Sequence, residues 1–337
     1  MRAYELVDDT GLNSLTLVEK PSPRPGPHQV RVRIRAASLN HRDLLVASGK
    51  YARGAPTRPL VPLSDGAGEV VEAGSAVTRL RPGDRVAGSF FQKWIDGPFD
   101  AARGDSALGG AIDGVLAEEV LFEECAAVKI PDELSFEDAA TLPCAGVTAW
   151  VGLVKNGELA AGETVLAMGT GGVSIFALQI AKAFDARVIL TSSHDEKLAR
   201  GKALGADETI NYRRQPDWDA RARALTGGQG VDHILEVGGD KTLPTSLRAL
   251  RDGGHVSLVG LLTGAPADAS VVEKSGRNVR VDSVYVGSAY DLATLIAFVS
   301  TKELRPVVDR VFDFEDARDA YSAMERGEHF GKIVIRV

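Results

Sequence analysis

Residues Thr164–Phe184 read TVLAMGTGGVSIFALQIAKAF. A short apolar run enters a glycine cluster, and the chain then takes up the pattern of an amphipathic helix. A strand that feeds glycines and then a helix leaves backbone N–H groups unpaired at the helix N-terminus, where the pyrophosphate of a dinucleotide binds. Gly169 suits the tight turn and Gly171 a close approach of backbone to phosphate, with Thr170, Gly172 and Val173 completing the loop. The third glycine of the G-x-G-x-x-G pattern is replaced by Ser174, still small enough for the helix to pack on the strand. Such a motif alone is a weak signal, and its meaning depends on its surroundings.

The surroundings repeat the same unit. Apolar runs RVILT (Arg187–Thr191), HILEV (His233–Val237) and HVSLV (His255–Val259) alternate with helical patterns. None alternates with period two, as expected of parallel strands covered on both faces. Ser193 and Glu196 have capping-box spacing, and Gly205 reads as the stop of the same helix. Repeated βα units predict an α/β fold built on a doubly wound parallel sheet. The strand ends Val237-Gly238 and Val259-Gly260 fall where ligands sit in such sheets and join the expected cofactor site.

The first 120 or so residues read differently. QVRVRIRAASL (Gln29–Leu39) alternates basic and apolar residues, as a half-exposed strand does. GEVVEAG (Gly68–Gly74) and DRVAGSF (Asp84–Phe90) are further short strands bounded by turn signals, and EKPSPRPGP (Glu19–Pro27) is a loop. Near the C-terminus a helix is expected around Tyr290–Ser300 and a closing strand at KIVIRV. A length of 337 residues suits two domains.

Composition narrows the function. The formal net charge of −7 repels phosphate backbones, so nucleic acid is not an expected partner. No apolar run approaches the roughly 20 residues of a membrane span, and MRAYELVDDTG lacks the basic start and apolar core of a signal peptide. The two cysteines, Cys125 and Cys144, support neither a disulfide framework nor a four-thiolate zinc lobe. The expectation is a cytoplasmic protein with reduced thiols and no membrane partner.

The tip of RVILT speaks to the choice of dinucleotide. NAD-preferring proteins place Asp or Glu about 20 residues beyond the loop to hold the ribose 2′-OH. Here the run is Thr191-Ser192-Ser193-His194, so no acid repels a 2′-phosphate, and Ser192, Ser193 and Lys197 can approach one. Ser193 reads equally as a helix cap and Lys197 as a solvated helix charge. The missing acid favours NADP(H) over NAD(H).

Taken in order, SLNHRDLLVASGKY, PLSDGAGEVVEAGSAVTRLRPGDRV, LPCAGVTAW, GTGGVSIFALQIAKAF and GADETINY resemble the medium-chain dehydrogenase/reductase superfamily, with zinc-type alcohol dehydrogenase-like proteins and quinone oxidoreductases nearest in character. The resemblance runs from about Ala3 to the closing HFGKIVIRV. It implies a Rossmann domain at 123–286 beside a GroES-like β-barrel catalytic domain at 1–122 and 287–337, with substrate in the cleft between them. Zinc-dependent members carry cysteine where this chain has Asn40 and a His-Glu pair where it has Ser64-Asp65; only Cys144 matches a third ligand. Recruiting Asp65 and His41 beside Cys144 is the remaining route to a metal, and it lacks the expected placement. No zinc is expected.

The resemblance also assigns residues. Asn40 and Asp43 occupy the N-x-x-D positions near the nicotinamide of zinc-free relatives, which makes Asn40 an amide donor to substrate or nicotinamide ribose, and Asp43 a helix cap. His41 stands where many relatives have tyrosine and either donates a proton or merely packs. Ser64 and Asp65 would line the cleft, and Cys144, in an apolar setting, reads more as a small hydrophobe than as a nucleophile. Thr148 matches a nicotinamide contact, Tyr212 a tyrosine near the adenosine phosphate, and Lys332 a lysine near the cofactor. In the long segment Gly88–Gly114, Phe90, Phe91 and Trp94 either stack on a flat acceptor or fill the barrel core.

Without zinc, activated acceptors such as α,β-unsaturated carbonyls and quinones become the expected small-molecule substrates. An NAD(P)-dependent alcohol dehydrogenase or aldehyde reductase, and a cofactor-binding protein with little turnover, are the alternatives. Relatives dimerise by joining Rossmann sheets edge to edge, so a homodimer through NVRVDSVYVG (Asn278–Gly287) is expected.

Overall fold

The computed structural model describes residues 1–51, 58–260 and 278–337. Its strands, in chain order, are β1 (Arg2–Leu6), β2 (Leu15–Glu19), β3 (Gln29–Ser38), β4 (Asp65–Ala73), β5 (Arg85–Gly88), β6 (Glu119–Glu123), β7 (Ala127–Lys129), β8 (Thr164–Met168), β9 (Arg187–Ser192), β10 (Glu208–Asn211), β11 (Val231–Glu236), β12 (Leu250–Leu258), β13 (Arg280–Ser283), β14 (Val308–Asp313) and β15 (Lys332–Arg336). They fall into two compact units, Met1–Val147 with Val286–Val337, and Thr148–Tyr285. The first boundary lies later than the 122/123 position read from the sequence. The difference has a structural origin: β7 pairs with β5, and the helix Phe136–Ala139 packs on β3 and β4, which keeps the intervening chain in the first unit.

The first unit is organised around β3. Val30, Val32 and Ile34 point into the core while Arg31, Arg33 and Arg35 point away, as the alternation predicts. The outward arginines meet glutamates on neighbouring strands, Arg31 with Glu119 at 2.7 Å and Arg35 with Glu69 at 2.6 Å. The first pair is partly buried and the second exposed, and exposed pairs contribute little stability; burial of the apolar face is the stronger term, on the order of 25 cal/mol per Å². β3 pairs antiparallel with β4, β6 and β15, in a sheet ordered β14-β15-β3-β4-β5-β7. Residues from both chain ends therefore meet in one core, in which Val30, Ile34 and Phe122 pack with Tyr321, Ile333 and Ile335. Phe90, Phe91 and Trp94 are buried in an edge-on aromatic cluster, with ring centroids at 4.7 Å and 5.6 Å, so these rings belong to the core.

The second unit is a six-stranded, all-parallel sheet ordered β10-β9-β8-β11-β12-β13. Every residue of β8 is buried, which accounts for its unbroken apolar character. The chain runs outward from β8 to β10 and then returns to β11 on the other side of β8, which makes the β8/β11 boundary the topological switch point. The helix after β9 spans Asp195–Ala203 and is capped by His194, one residue beyond the expected Ser193, whose hydroxyl instead meets His194 Nδ1 at 2.8 Å. Gly205, with φ +111°, follows the C-cap Leu204. β13 is shorter than the predicted segment and forms one edge of this sheet. Among the described residues no helix is long and apolar enough to cross a membrane.

Two buried histidines lie side by side on β11 and β12. His233 Nε2 meets Glu163 at 2.9 Å, His255 Nε2 meets Asp282 at 3.1 Å, and the rings are 5.7 Å apart. Burial, reinforced by the Arg280 charge, pushes His255 down to about 4. A depressed histidine value means that the unfolded chain takes up a proton before the folded one does. Stability is then fully present above the ordinary value near 6.5 and is lost as pH falls from there toward the lowered value. Urea midpoints at pH 7 and pH 4.5 should show the wild type losing about 2 kcal/mol more than His255→Gln; equal losses would remove His255 as the cause.

Candidate functional site

The first unit holds a buried polar cluster where β3, β4 and β15 adjoin. Asn40 caps the helix His41–Ala47, and its backbone N–H donates to Asp43 Oδ2 at 2.7 Å, so Asp43 is the expected cap partner. Burial raises the Asp43 carboxyl to about 6, against the opposing charge of Arg42. Lys332, the first residue of β15, is buried and donates from Nζ to Asn40 Oδ1 at 2.6 Å and to the Leu39 carbonyl at 2.5 Å. The same ammonium lies 3.9 Å from Asp65 Oδ2. Asp65 opens β4 and also accepts from Ser64 Oγ at 2.6 Å and from the Cys144 backbone N–H at 3.1 Å. Burial raises its carboxyl, and Lys332 is the main counterweight.

This arrangement fixes the orientation of one amide. Because the ammonium takes Asn40 Oδ1, Asn40 must present its NH₂ on the other side. That Nδ2 faces Asp65 closely enough to favour the carboxylate, yet it makes no hydrogen bond of normal geometry. Asn40, Ser64, Asp65 and Cys144 are thus brought together as the sequence suggests. His41 is not: its ring reaches the surface and takes no part in the cluster's hydrogen bonds. The protein around it lowers its pKa from the usual 6.5. Lys332, read from the sequence as a cofactor contact, is committed to Asn40, Leu39 and Asp65.

The donor set suits zinc poorly. Among the described residues no group of three His, Cys, Asp or Glu side chains could hold a metal. Both Asp65 oxygens accept hydrogen bonds, a lysine ammonium lies beside them, and burial together with the Asp65 charge pushes the Cys144 thiol far above its ordinary range. A metal ligand must be deprotonated and have a free lone pair: the raised Cys144 thiol opposes the first, while the Asp65 oxygens are already engaged and the ammonium beside them repels a cation.

The second unit holds the glycine loop. Gly169 adopts φ +79°, and Gly171 caps the helix Gly172–Ala183 without a side-chain hydrogen bond, so the first N–H groups of that helix stay open to an anion. A Cβ added at Gly171 would meet nothing within 4 Å, which leaves an open cradle of the kind a pyrophosphate needs. Ser174 Oγ donates to the Met168 carbonyl at 2.5 Å and so ties the helix to the end of β8; this explains serine at the third glycine position. Thr148 is buried elsewhere in this unit, and Thr170 is buried in the loop itself.

At the tip of β9, Ser192 is buried and its carbonyl accepts from Tyr212 N–H at 3.1 Å, which brings the half-exposed Tyr212 to the same corner as Ser193. Lys197 stands in the first turn of the next helix. The nearest acid, Asp195, accepts from Asn211 Nδ2 at 2.6 Å and pairs with Arg214. Arg214 was not singled out from the sequence, since an exposed arginine in a turn carries no local signal. On the other half of the sheet, Gly238 is enclosed: a Cβ there would lie 2.2 Å from Thr242 Oγ1. Val259 and Gly260 are partly buried after β12.

One unit is a parallel sheet with an open glycine cradle at its switch point, and the other is a separate unit that carries a buried amide; these are the parts of a nicotinamide-dependent dehydrogenase or reductase. Residues 26–132 match the alcohol dehydrogenase GroES-like domain and residues 172–301 the zinc-binding dehydrogenase domain, and the chain belongs to the medium-chain dehydrogenase/reductase superfamily as an NAD(P)-dependent oxidoreductase. A zinc-type alcohol dehydrogenase-like protein of Schizosaccharomyces pombe is 41% identical over 337 residues, covering 97% of this chain and 96% of the relative. Among solved structures, an NAD-dependent alcohol dehydrogenase superposes with a TM-score of 0.89 at 34% identity over 100% of both chains. A quinone oxidoreductase of Pseudomonas syringae gives 0.84 at 29% identity over 100% of this chain and 99% of that one. A mycobacterial protein solved with NADPH gives 0.84 at 26% identity over 100% of both.

The two glycines separate binding from folding. Gly171→Ala should cost no more than about 1 kcal/mol of stability, as a cap change, while weakening NAD(P)H at least tenfold in a fluorescence titration. Gly238→Ala should instead lose about 1–3 kcal/mol in urea unfolding through overpacking. Unchanged cofactor affinity in Gly171→Ala would show that the cradle is not the phosphate site.

Proposed function

We propose that the protein is a zinc-independent reductase that uses NADPH in preference to NADH and delivers hydride to an activated acceptor, an α,β-unsaturated carbonyl or a quinone. The observation that carries this reading is the Asn40 amide, held at its oxygen by Lys332 at 2.6 Å while its buried Nδ2 faces Asp65 without a hydrogen bond of normal geometry. A buried donor without a partner costs about 1–3 kcal/mol, and an acceptor oxygen placed against it relieves that cost. The dinucleotide, when bound at the glycine loop, supplies the hydride. An enone that accepts hydride at its β-carbon gathers negative charge on its carbonyl oxygen. A fixed N–H donor favours that charged state over the neutral ground state. A saturated aldehyde would build a far more basic alkoxide, the task for which a Lewis acid is suited. An amide donor matches the milder demand.

The preference for NADPH is read from the tip of β9. No acid occupies Ser192, Asp195 is engaged by Arg214, and Ser193, Lys197 and Tyr212 surround the position a 2′-phosphate would take.

Initial rates of NADPH and NADH oxidation against enones, quinones and saturated aldehydes test the reading. Turnover of enones or quinones with NADPH should persist in a chelator, with aldehydes at least a hundredfold poorer in kcat/KM. Asn40→Ala should lower kcat about 10²-fold, as loss of one oxyanion donor does. Chelator-sensitive aldehyde turnover would replace this reading with an alcohol dehydrogenase. Stoichiometric cofactor binding with no turnover across the panel would replace it with a binding protein.

We also propose a homodimer joined along the edge strand β13, whose outer backbone groups have no partner strand among the described residues. Light scattering should then give twice the 35.7 kDa chain mass, and a value at the chain mass removes the dimer.

A further inference from the structure

Glu236 is the last residue of β11 and is fully buried, a costly place for a carboxylate unless every lone pair is used. Its Oε1 accepts from Gly238 N–H at 2.7 Å, from Gly239 N–H at 3.1 Å and from Thr242 Oγ1 at 2.7 Å. Its Oε2 accepts a short bond from Ser246 Oγ, which also lies 3.5 Å from Met168 Sδ at the end of β8, directly before the glycine loop. The backbone carbonyl of the same residue accepts from Val259 N–H at 2.9 Å and Gly260 N–H at 3.2 Å. One residue therefore pins the loop that leaves β11 and the first two residues after β12, Val259 and Gly260, and reaches the strand end that leads into the phosphate cradle.

We propose that Glu236 is a positioning residue for the nicotinamide half of the dinucleotide site, an inference that rests on the cofactor reading above. A doubly wound sheet binds a dinucleotide across its switch point, one mononucleotide to each half. The glycine loop and the tip of β9 belong to one half, and the loops after β11 and β12 belong to the other. The residues that follow β11 must leave the sheet sharply, and Gly239 does so at φ +104°. Their N–H groups turn inward at that bend, and an apolar side chain at position 236 would leave them unpaired. The carboxylate gathers them to one point and sets the loop in a single conformation before any ligand arrives. This acts on only one end of the ligand, so affinity for the nicotinamide end depends on Glu236 and affinity for the adenosine end does not.

The experiment compares NADPH with adenosine 2′,5′-bisphosphate, which lacks the nicotinamide half, by titration against the full chain. Wild-type binding of NADPH comes first; a chain that binds neither probe overturns the cofactor reading itself. In Glu236→Ala the dissociation constant of NADPH should rise at least tenfold while that of the bisphosphate stays within threefold. Glu236→Gln should restore NADPH to within threefold of wild type, because the amide oxygen still accepts from Gly238 and Gly239 and its NH₂ can donate to Ser246. If Glu236→Ala fails to fold, Thr242→Val and Ser246→Ala take its place, each expected to weaken NADPH severalfold with the bisphosphate unmoved. Equal losses for both probes assign Glu236 to folding alone, and no loss for either removes the role; each result overturns the proposal.

Discussion

A single ammonium group, that of Lys332, organises the buried polar cluster of the first unit. Burying a lysine costs several kcal/mol unless geometry and hydrogen bonds repay it, and here the Leu39 carbonyl, the Asn40 amide oxygen and the Asp65 carboxylate surround it. Two of these partners have a second commitment. Asn40 begins a helix with Asp43 as its cap, and Asp65 begins β4 while taking the Cys144 backbone N–H. The charge thus ties β3, β4 and β15 to the helical segment around Cys144, and it does so through the same atoms that dictate which way the Asn40 amide points.

The two units use opposite electrostatic strategies. In the barrel unit a buried cation and a buried anion are matched inside the protein, so the local charge is spent before a ligand is present. In the Rossmann unit the glycine loop leaves its N–H groups unmatched, with no side-chain cap at Gly171, and waits for an anion from outside. Ser174 shows how little the loop needs to be closed. Its hydroxyl anchors the helix to the Met168 carbonyl from below and leaves the upper side bare.

Much of the fold was legible because its signals are local. The apolar runs of β8, β9, β11 and β12 and the alternation of β3 each lie within a few residues of chain, and each forms the expected element. The glycine loop was legible for the same reason. The cap of the helix after β9 was misplaced by one residue, since Ser193 and His194 are equally exposed to the choice and only the end of β9 at Ser192 settles it. The boundary near 122/123 was missed because β7 is held by pairing with β5, some forty residues earlier, which leaves no mark in the local pattern. Lys332 and Glu236 illustrate the larger limit. A lysine at the start of a strand reads as a surface charge and a glutamate at the end of one as a solvated tip, until distant backbone groups are seen to surround them. Asn40 and Asp65 were found through the family pattern rather than through any periodicity.

The discontinuous first unit has a consequence for biosynthesis. A domain whose strands come from one stretch of chain can fold as it leaves the ribosome, and domains generally do so from the N-terminus onward. Here β3 can pair with β4 and β6 early, but its third antiparallel partner, β15, and the lysine beneath Asn40 are made almost three hundred residues later. The Rossmann unit is translated in the interval and is contiguous, so it can reach its own fold first. The chain order thus allows a nucleotide fold to form while the first unit still lacks β14 and β15. The buried cluster around Asn40 cannot be complete until translation has delivered β15.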